Sequence, residues 1–242
     1  MEKEDIYQKL MELFGKMPEN FSILDEQIDI KIQMNYFEAS KENKKHKINK
    51  EYILKNKDKI FENELSFEEK KKILVQLASL DNVEAFRTIE KYVNQSDDEI
   101  RQWAMLAMQE CRIALESSLL NENQVIISTG LGGKDKKLRY FTAISSASNI
   151  DFSALQKKLI RKEFEFVLKN QGGEIEELKF DGAYASLLVL VPISVSVKIV
   201  IDSVISECNQ IGNFINVKFV LTNVRKYSIE EIKESWNKIS EK

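Results

Sequence analysis

The chain has 242 residues, of which 43% are hydrophobic and 31% are charged, and its net charge is −3. That length and apolar content allow one large or two modest domains with buried cores, and they exclude a disordered chain. The interspersed charges exclude a protein-wide field that would attract nucleic acid or anionic lipid, although a local patch stays possible. The scarcity of glycine and proline argues against a loop-rich, all-β or collagen-like chain.

Signals that would direct the chain out of the cytoplasm are not expected. The first ten residues, M-E-K-E-D-I-Y-Q-K-L, lack the apolar segment of a secretory signal. The longest apolar run, Leu187 to Ile193, is far too short to span a bilayer, so we expect no membrane insertion. Cys111 and Cys208 lie within apolar helical patterns and are expected to be buried thiols, not a disulfide. We therefore predict a cytoplasmic protein.

The N-terminal half is expected to be helical. Apolar residues at helical spacing predict a first amphipathic helix over 6–14. The next stretch, 21–39, fits both strand and helix periodicity, and a capping-box pattern at its start, Ser22 followed by Asp25, favours helix. The lysine-rich run around His46, the only histidine of the chain, is expected to be a solvated helix end or linker.

Three capped helices are predicted next. They begin after Ser66, after the turn at Asp81-Asn82 and after Ser96-Asp97-Asp98. The inward-facing positions of the first and third helices correspond, because Ile73 matches Ala104 and Leu77 matches Met108, each pair 31 residues apart. A helix pair that recurs at such a period predicts an α-solenoid.

The segment from Leu80 to Met108 resembles a HEAT repeat of the short, phycobilisome-lyase-like kind. The matching positions are Asp97, Ile100, Arg101, Ala104 and Ala107. The helix 66–77 is a weaker match, with Lys70 in place of the usual arginine. The resemblance implies a scaffold that binds protein partners in a groove between stacked helices. The groove residues that we predict are Arg87, Lys91, Arg101 and Trp103. An ordinary helical bundle that supports a second domain stays open as the alternative.

After Asn121 the pattern changes to alternation. Residues 124–129 and 138–145 are predicted to be strands of one hairpin, joined by a Gly-Leu-Gly-Gly-Lys turn whose glycines supply positive φ. From Leu138 the order is β-α-β-β-α-β, the ferredoxin-like pattern, with an extra strand before it and a helix after it. The later elements are a helix from Asp151 or Ser153 to Asn170, strands 175–180 and 184–193, a helix from Ser194 or Ser196, a strand 216–224 and a last helix from Ser228.

The predicted fold class is therefore α + (α+β), with a HEAT-like domain over 1–120 and a ferredoxin-like domain over 121–242. The strand 184–193 is apolar on both faces, which is typical of a central strand covered on both sides. The helices of a split βαβ pattern cover only one face. The last helix, the helical domain or a second copy must cover the other, and we expect domain packing or a homodimer there.

The run from Glu174 to Val197 is similar to the core of single-tyrosine transposases of the His-hydrophobic-His class. These are ferredoxin-like enzymes that cut single-stranded DNA at a metal held by the two histidines. In this chain Tyr184-Ala185-Ser186 stands where the histidines would flank the hydrophobic residue, and Ser235 stands near the position of the nucleophilic tyrosine. The resemblance therefore implies a domain that has lost both its metal ligands and its nucleophile.

The glycine-lysine run G-L-G-G-K at 130–134 is not a phosphate-binding loop of the Walker A kind. Its spacing is wrong, Asp135 follows the lysine, and a strand follows where a helix N-terminus would be needed. A hairpin turn explains the glycines. The functional alternative is a basic loop beside an aromatic strand, which could bind phosphates and stack bases. Its residues would be Lys134, Lys136, Lys137, Arg139 and Tyr140.

We predict no catalytic residue, no metal and no cofactor. A histidine-dependent site would need the lysine-flanked His46, and no CxxC, HExxH or calcium-loop motif occurs. The favoured function is a non-catalytic, cytoplasmic adaptor that binds a protein partner through its helical groove. The alternative is a nucleic-acid-binding module that uses the basic hairpin, and a third hypothesis is a small-molecule sensor.

Overall fold

The computed structural model describes residues 12, 15, 20–47, 49–121 and 124–240, without side-chain detail at 98, 99 and 237–240. The apolar residues of the first predicted helix, over 6–14, lie outside the described residues. Within the described ranges the chain is a mixture of eight α-helices and two β-sheets, compatible with an α+β class. It divides into two compact units.

The helical unit comprises Asn20–Ser22 and Ile28–Ile127. Its elements are β1 (Phe21–Ile23), α1 (Ile30–Asn43), α2 (Lys50–Lys55), a 3₁₀ turn (Lys57–Phe61), α3 (Phe67–Ala78), α4 (Val83–Val93), α5 (Asp98–Leu120) and β2 (Val125–Ile127). Helix α3 packs against both α4 and α5, and α1 packs against α3 and α5.

The helix starts follow local capping chemistry. Ser66 and Glu69 form a capping box at α3, and the Asn82 side chain accepts hydrogen bonds from backbone N–H groups at the start of α4. At the start of the unit the prediction was wrong in detail. Ser22 lies in strand β1, and α1 begins only after Asp29, whose carboxylate accepts the N–H of Lys31 at 2.7 Å. Residues 21–23 form a strand and pair with β2.

The half-buried carboxylate of Glu110 links α1 to α5. Glu110 accepts the hydroxyl of Tyr36 at 2.6 Å and that of Ser40 at 2.7 Å, and Lys44 lies 2.7 Å from the same carboxylate. Tyr36 is completely buried, and this burial, with Glu110 beside it, raises its pKa well above the ordinary value of 10.0. Tyr36 therefore stays neutral and serves as a hydrogen-bond donor in the core.

The second unit comprises Ile23–Gln27 and the described part of Ser128–Lys242. Its elements are β3 (Gly133–Lys134), β4 (Lys137–Ser145), α6 (Ala154–Asn170), β5 (Glu174–Asp181), β6 (Tyr184–Pro192), α7 (Val197–Asn209), β7 (Val220–Thr222) and α8 (Ile229–Ser240). The antiparallel strands lie in the order β7-β4-β6-β5. Strand β3 pairs with the same edge of β4 as β7 does, at the N-terminal end of β4.

The predicted pairing of 124–129 with 138–145 was wrong. Strand β2 pairs with β1, and the hairpin partner of β4 is the two-residue β3. The hairpin turn consists of Asp135 and Lys136, both at positive φ (49° and 62°), as a tight two-residue turn requires. The glycine run therefore does not form the turn itself.

Side-chain alternation assigns each sheet face to different helices. Phe180 of β5 points to the face on which α6 begins, where Lys157 lies 5.7 Å from its ring centroid, and α6 and α7 pack against one another. Phe141 and Leu188 point to the opposite face. There α8 contributes Ile232 and Trp236 to a buried cluster with them. The last helix, one of the covers that the sequence left open, packs on this face, and a homodimer stays a prediction.

Both cysteines are buried, reduced thiols, as expected. Burial raises the pKa of Cys111 and of Cys208 to about 12, so neither thiolate forms near neutral pH.

We therefore predict that Ellman's reagent modifies neither cysteine in the folded protein and both after unfolding in guanidinium. The variant Ser206→Cys is the matched control, because Ser206 is exposed on the same helix as Cys208 and should react within seconds. Rapid modification of the wild-type protein without denaturant would contradict the assignment.

Candidate functional site

Three of the four predicted groove residues lie on the surface. Arg87 and Lys91 project from α4, one helical turn apart, and Arg101 projects from the first turns of α5. Arg87 forms an ion pair with Glu90, with Nη1 2.7 Å from the carboxylate, and Lys91 Nζ lies 4.9 Å from the ring centroid of Phe61. All three are available to a partner.

Trp103 belongs instead to the core of the helical unit. Its side chain is only 6% exposed, its Nε1 donates to the carbonyl of Lys71 at 3.3 Å, and its ring packs edge-on against Tyr36 with centroids 5.2 Å apart. A buried ring that already contacts α1 and α3 cannot meet a partner without unfolding part of the unit. Trp103 supports the surface from below and does not line it.

Arg112 is a surface residue that the sequence reasoning missed. Its guanidinium carbon lies 5.8 Å from the ring centroid of Phe86, and that of Arg87 lies 5.9 Å from the same ring. Two cations from different helices therefore lie within 6 Å of the centre of one half-buried aromatic ring. The available signal was spacing: Arg112 follows Arg101 by three helical turns and so lies on the same stripe of α5.

The stripe between these two arginines is apolar. Met105 and Met108 are half-buried, and they lie at helical spacing between Arg101 and Arg112, both of which are exposed. We call the set Arg87, Arg101, Met105, Met108 and Arg112 the α4–α5 surface. It offers a flexible, polarizable centre with guanidinium groups at both ends, and Glu90 is the carboxylate paired with one of them.

The predicted basic hairpin is only partly available. Lys134 and Lys136 are exposed beside the β3–β4 turn, whereas Tyr140 is buried in the sheet. Lys137 Nζ lies 3.0 Å from Glu174. The exposed lysines thus face solvent, whereas the aromatic ring of Tyr140 lies in the core. A base cannot stack on Tyr140 in this arrangement.

Arg139 serves as a clamp within its unit. Its guanidinium forms a bidentate pair with Glu176, with Nη2 at 2.9 Å from Oε1, and it donates to the carbonyls of Leu131 at 2.7 Å and Asp25 at 3.3 Å. The hydrogen bond to Glu176 raises the pKa of Arg139. The side chain is 11% exposed, so Arg139 holds three chain segments together and has little surface left for a phosphate.

We predict that Arg139→Ala lowers the free energy of unfolding by about 2 kcal/mol, because Glu176 and two carbonyls lose their donors. Lys134→Ala, an exposed change on the same hairpin, should alter it by less than about 0.5 kcal/mol. Urea unfolding followed by circular dichroism measures both. Equal effects of the two variants would contradict the structural role of Arg139.

The glycine run makes close backbone contacts. A Cβ on Gly130 would lie 1.9 Å from the carbonyl oxygen of Val224, and one on Gly132, at φ 65°, would lie 2.4 Å from that of Glu26. Any larger residue would push these segments apart. The run G-L-G-G-K is therefore explained by packing, with no phosphate required.

Two of the residues that the resemblance in the sequence singled out lie on the same face of the sheet. Tyr184 and Ser186 point to the α8 face, and Tyr184 packs edge-on against Trp236, the residue after Ser235, with ring centroids 6.1 Å apart.

Among the described residues, no group of three or more His, Cys, Asp or Glu side chains is placed to hold a metal ion. No helix in the described ranges is long and apolar enough to cross a membrane.

Comparison with protein-family models gives no match to this chain, and comparison with curated proteins gives none either.

Proposed function

We propose that the protein is a non-catalytic, cytoplasmic adaptor that binds an acidic segment of a protein partner on the α4–α5 surface. The observation that carries this proposal is the pair of guanidiniums, Arg87 and Arg112, each within 6 Å of the centre of the Phe86 ring. Arginine and methionine are enriched at protein interfaces, because arginine binds carboxylates bidentately and methionine adapts its shape.

The proposed architecture has a HEAT-like helical domain and a ferredoxin-like domain. The packing of α3 against both neighbouring helices and the complete burial of Ala104 and Ala107 support the first, because small residues permit close helix approach. The strand order β7-β4-β6-β5 around the β-α-β-β-α-β sequence supports the second. Two buried, reduced cysteines are what a reducing compartment favours.

Affinity purification from the native cell tests the adaptor proposal. The double variant Arg87→Glu/Arg112→Glu should lose a partner that the wild-type protein retains, because both cations become repulsive to a carboxylate. Lys158→Glu/Lys162→Glu, two exposed lysines on α6, is the control with the same change of charge and should retain it. Retention of the same partner by both double variants would overturn the proposal.

Nucleic acid is the second candidate, and the exposure of Lys134 and Lys136 beside the hairpin turn favours it. Salt-sensitive retention on single-stranded DNA that disappears in Lys134→Ala/Lys136→Ala would support this function. Nuclease treatment before the purification separates the two candidates. A partner that survives it supports the adaptor, and one that is lost supports nucleic-acid binding.

A further inference from the structure

Strand β5 has an open edge. It has 8 residues and pairs with β6, and among the described strands none pairs with its other side. The opposite edge of the sheet ends in the three-residue β7. An open strand edge presents unpaired backbone N–H and C=O groups that can accept another strand.

A groove of about 400 Å³ runs along this edge. Its lining includes five consecutive residues of β5, Glu174 to Leu178, together with Arg161, Leu168 and Lys169 of α6. Successive side chains of a strand point to opposite faces of the sheet. Because consecutive residues of β5 line this groove, the groove follows the edge of the strand and not one face of the sheet. The floor is therefore the β5 backbone, and α6 forms the wall.

The side chains of the groove differ on its two sides. Ile175 and Leu178 point to the α6 side and, with Leu168, give it an apolar lining. Arg161 and Lys169 carry positive charge on the helical wall, and Glu165 lies 4.0 Å from Arg161 at the limit of an ion pair. The wall keeps a net positive charge.

The three glutamates of β5 are held by cations of their own unit. Glu174 lies 3.0 Å from Lys137, and Glu176 forms a bidentate ion pair with Arg139. Glu177 contacts both Lys179 and Lys226, the latter at 2.7 Å. These ion pairs lower the pKa of Glu177, with the hydrogen bond from Lys179 as the largest cause. The cations of the α6 wall are therefore left to a carboxylate from outside.

We propose that this groove binds an extended, acidic segment of another protein, which adds to β5 as a further strand. Backbone hydrogen bonds to β5 would supply affinity. An apolar side chain would contact Leu168, Ile175 and Leu178, and a carboxylate would contact Arg161 and Lys169. The bulge at Glu176 interrupts the register of β5 and limits the added strand to a few residues.

A second copy of this chain is the alternative occupant of the open β5 edge, and the test below distinguishes it from a partner segment. The proposal concerns a different unit from the α4–α5 surface and does not depend on it.

The test uses an eight-residue peptide with both termini blocked. Threonine alternates with valine in it, and one central valine is replaced by glutamate. We expect it to bind the full-length protein and to shift amide NMR signals mainly at Glu174 to Leu178. A peptide with the same side chains but alternate N-methylated amides should not bind, because it cannot complete the backbone hydrogen bonds. Arg161→Glu/Lys169→Glu should weaken binding about tenfold or more, whereas Lys162→Glu, outside the groove, should not.

Three results would overturn the proposal. The first is no binding by the parent peptide, and the second is equal binding by the N-methylated peptide. The third is a concentration-dependent dimer whose β5 amides are protected without any peptide, which would assign the edge to a second copy. Each of these results is measured on the second unit of the chain. Failure of this proposal is therefore distinguishable from failure of the proposal on the α4–α5 surface.

Discussion

Glu110→Ala is expected to destabilise the helical unit by about 2–4 kcal/mol. The carboxylate is the acceptor for the hydroxyls of Tyr36 and Ser40, and both residues are buried. Its removal leaves two buried donors without an acceptor while α1 loses its polar tie to α5. Tyr36→Phe, which removes one donor and leaves the carboxylate with Ser40 and Lys44, should cost about 1 kcal/mol.

Hydrogen-exchange mass spectrometry is the suitable measurement, because it follows each unit separately in a chain that need not unfold in one step. In Glu110→Ala, protection should fall in α1 and α5 and remain in β4 and β6. Glu116→Ala, six residues later on the same helix, is the control and should leave the protection of both units unchanged. Unaltered protection of α1 in Glu110→Ala would show that the network contributes little.

Trp236→Ala is expected to have the larger effect and to lower the free energy of unfolding of the second unit, which contains β3 to β7, by about 3–5 kcal/mol. The indole is 7% exposed and fills the space between α8 and the sheet, where it belongs to the same buried cluster as Phe141 and Leu188. Without it, Ile232 is the remaining fully buried contact from α8 in that cluster, and part of the apolar sheet face becomes open to water.

Urea unfolding followed by circular dichroism, together with binding of an apolar dye, measures this loss. The variant should bind the dye under native conditions, whereas Ser235→Ala, the neighbouring change, should not and should alter stability by less than about 0.5 kcal/mol. A Trp236→Ala protein with wild-type stability would mean that α8 does not cover this sheet face in solution.

Helices were predictable where capping and periodicity agreed. The starts of α3, α6 and α8 follow from Ser66, Ser153 and Ser228, each of which exchanges hydrogen bonds with the residue three positions later. Strand β6 was equally clear, because a run that is apolar on both faces is suited to a central position.

Strand partners and environments were not predictable, because they depend on residues distant in sequence. Strand β2 pairs with β1, about a hundred residues earlier, and no local pattern around 124–129 indicates that choice. Arg139 belongs to a basic run by sequence, yet Glu176 neutralises it from across the sheet. Trp103 follows Arg101 by two positions, which places the two on different sides of α5. The inward position of Trp103 in the helical pattern is therefore confirmed, and its place in the groove is wrong.

A photo-crosslinking amino acid at position 108, in the centre of the α4–α5 surface, tests the adaptor account most directly. The account predicts that irradiation of native cells joins this position to a discrete protein, that nuclease leaves the product intact, and that Arg87→Glu/Arg112→Glu abolishes it. The same crosslinker at Ile199, exposed on α7, serves as the control and should not give that product. A crosslinked protein that persists in the charge-reversed variant, or no product at position 108, would contradict the account.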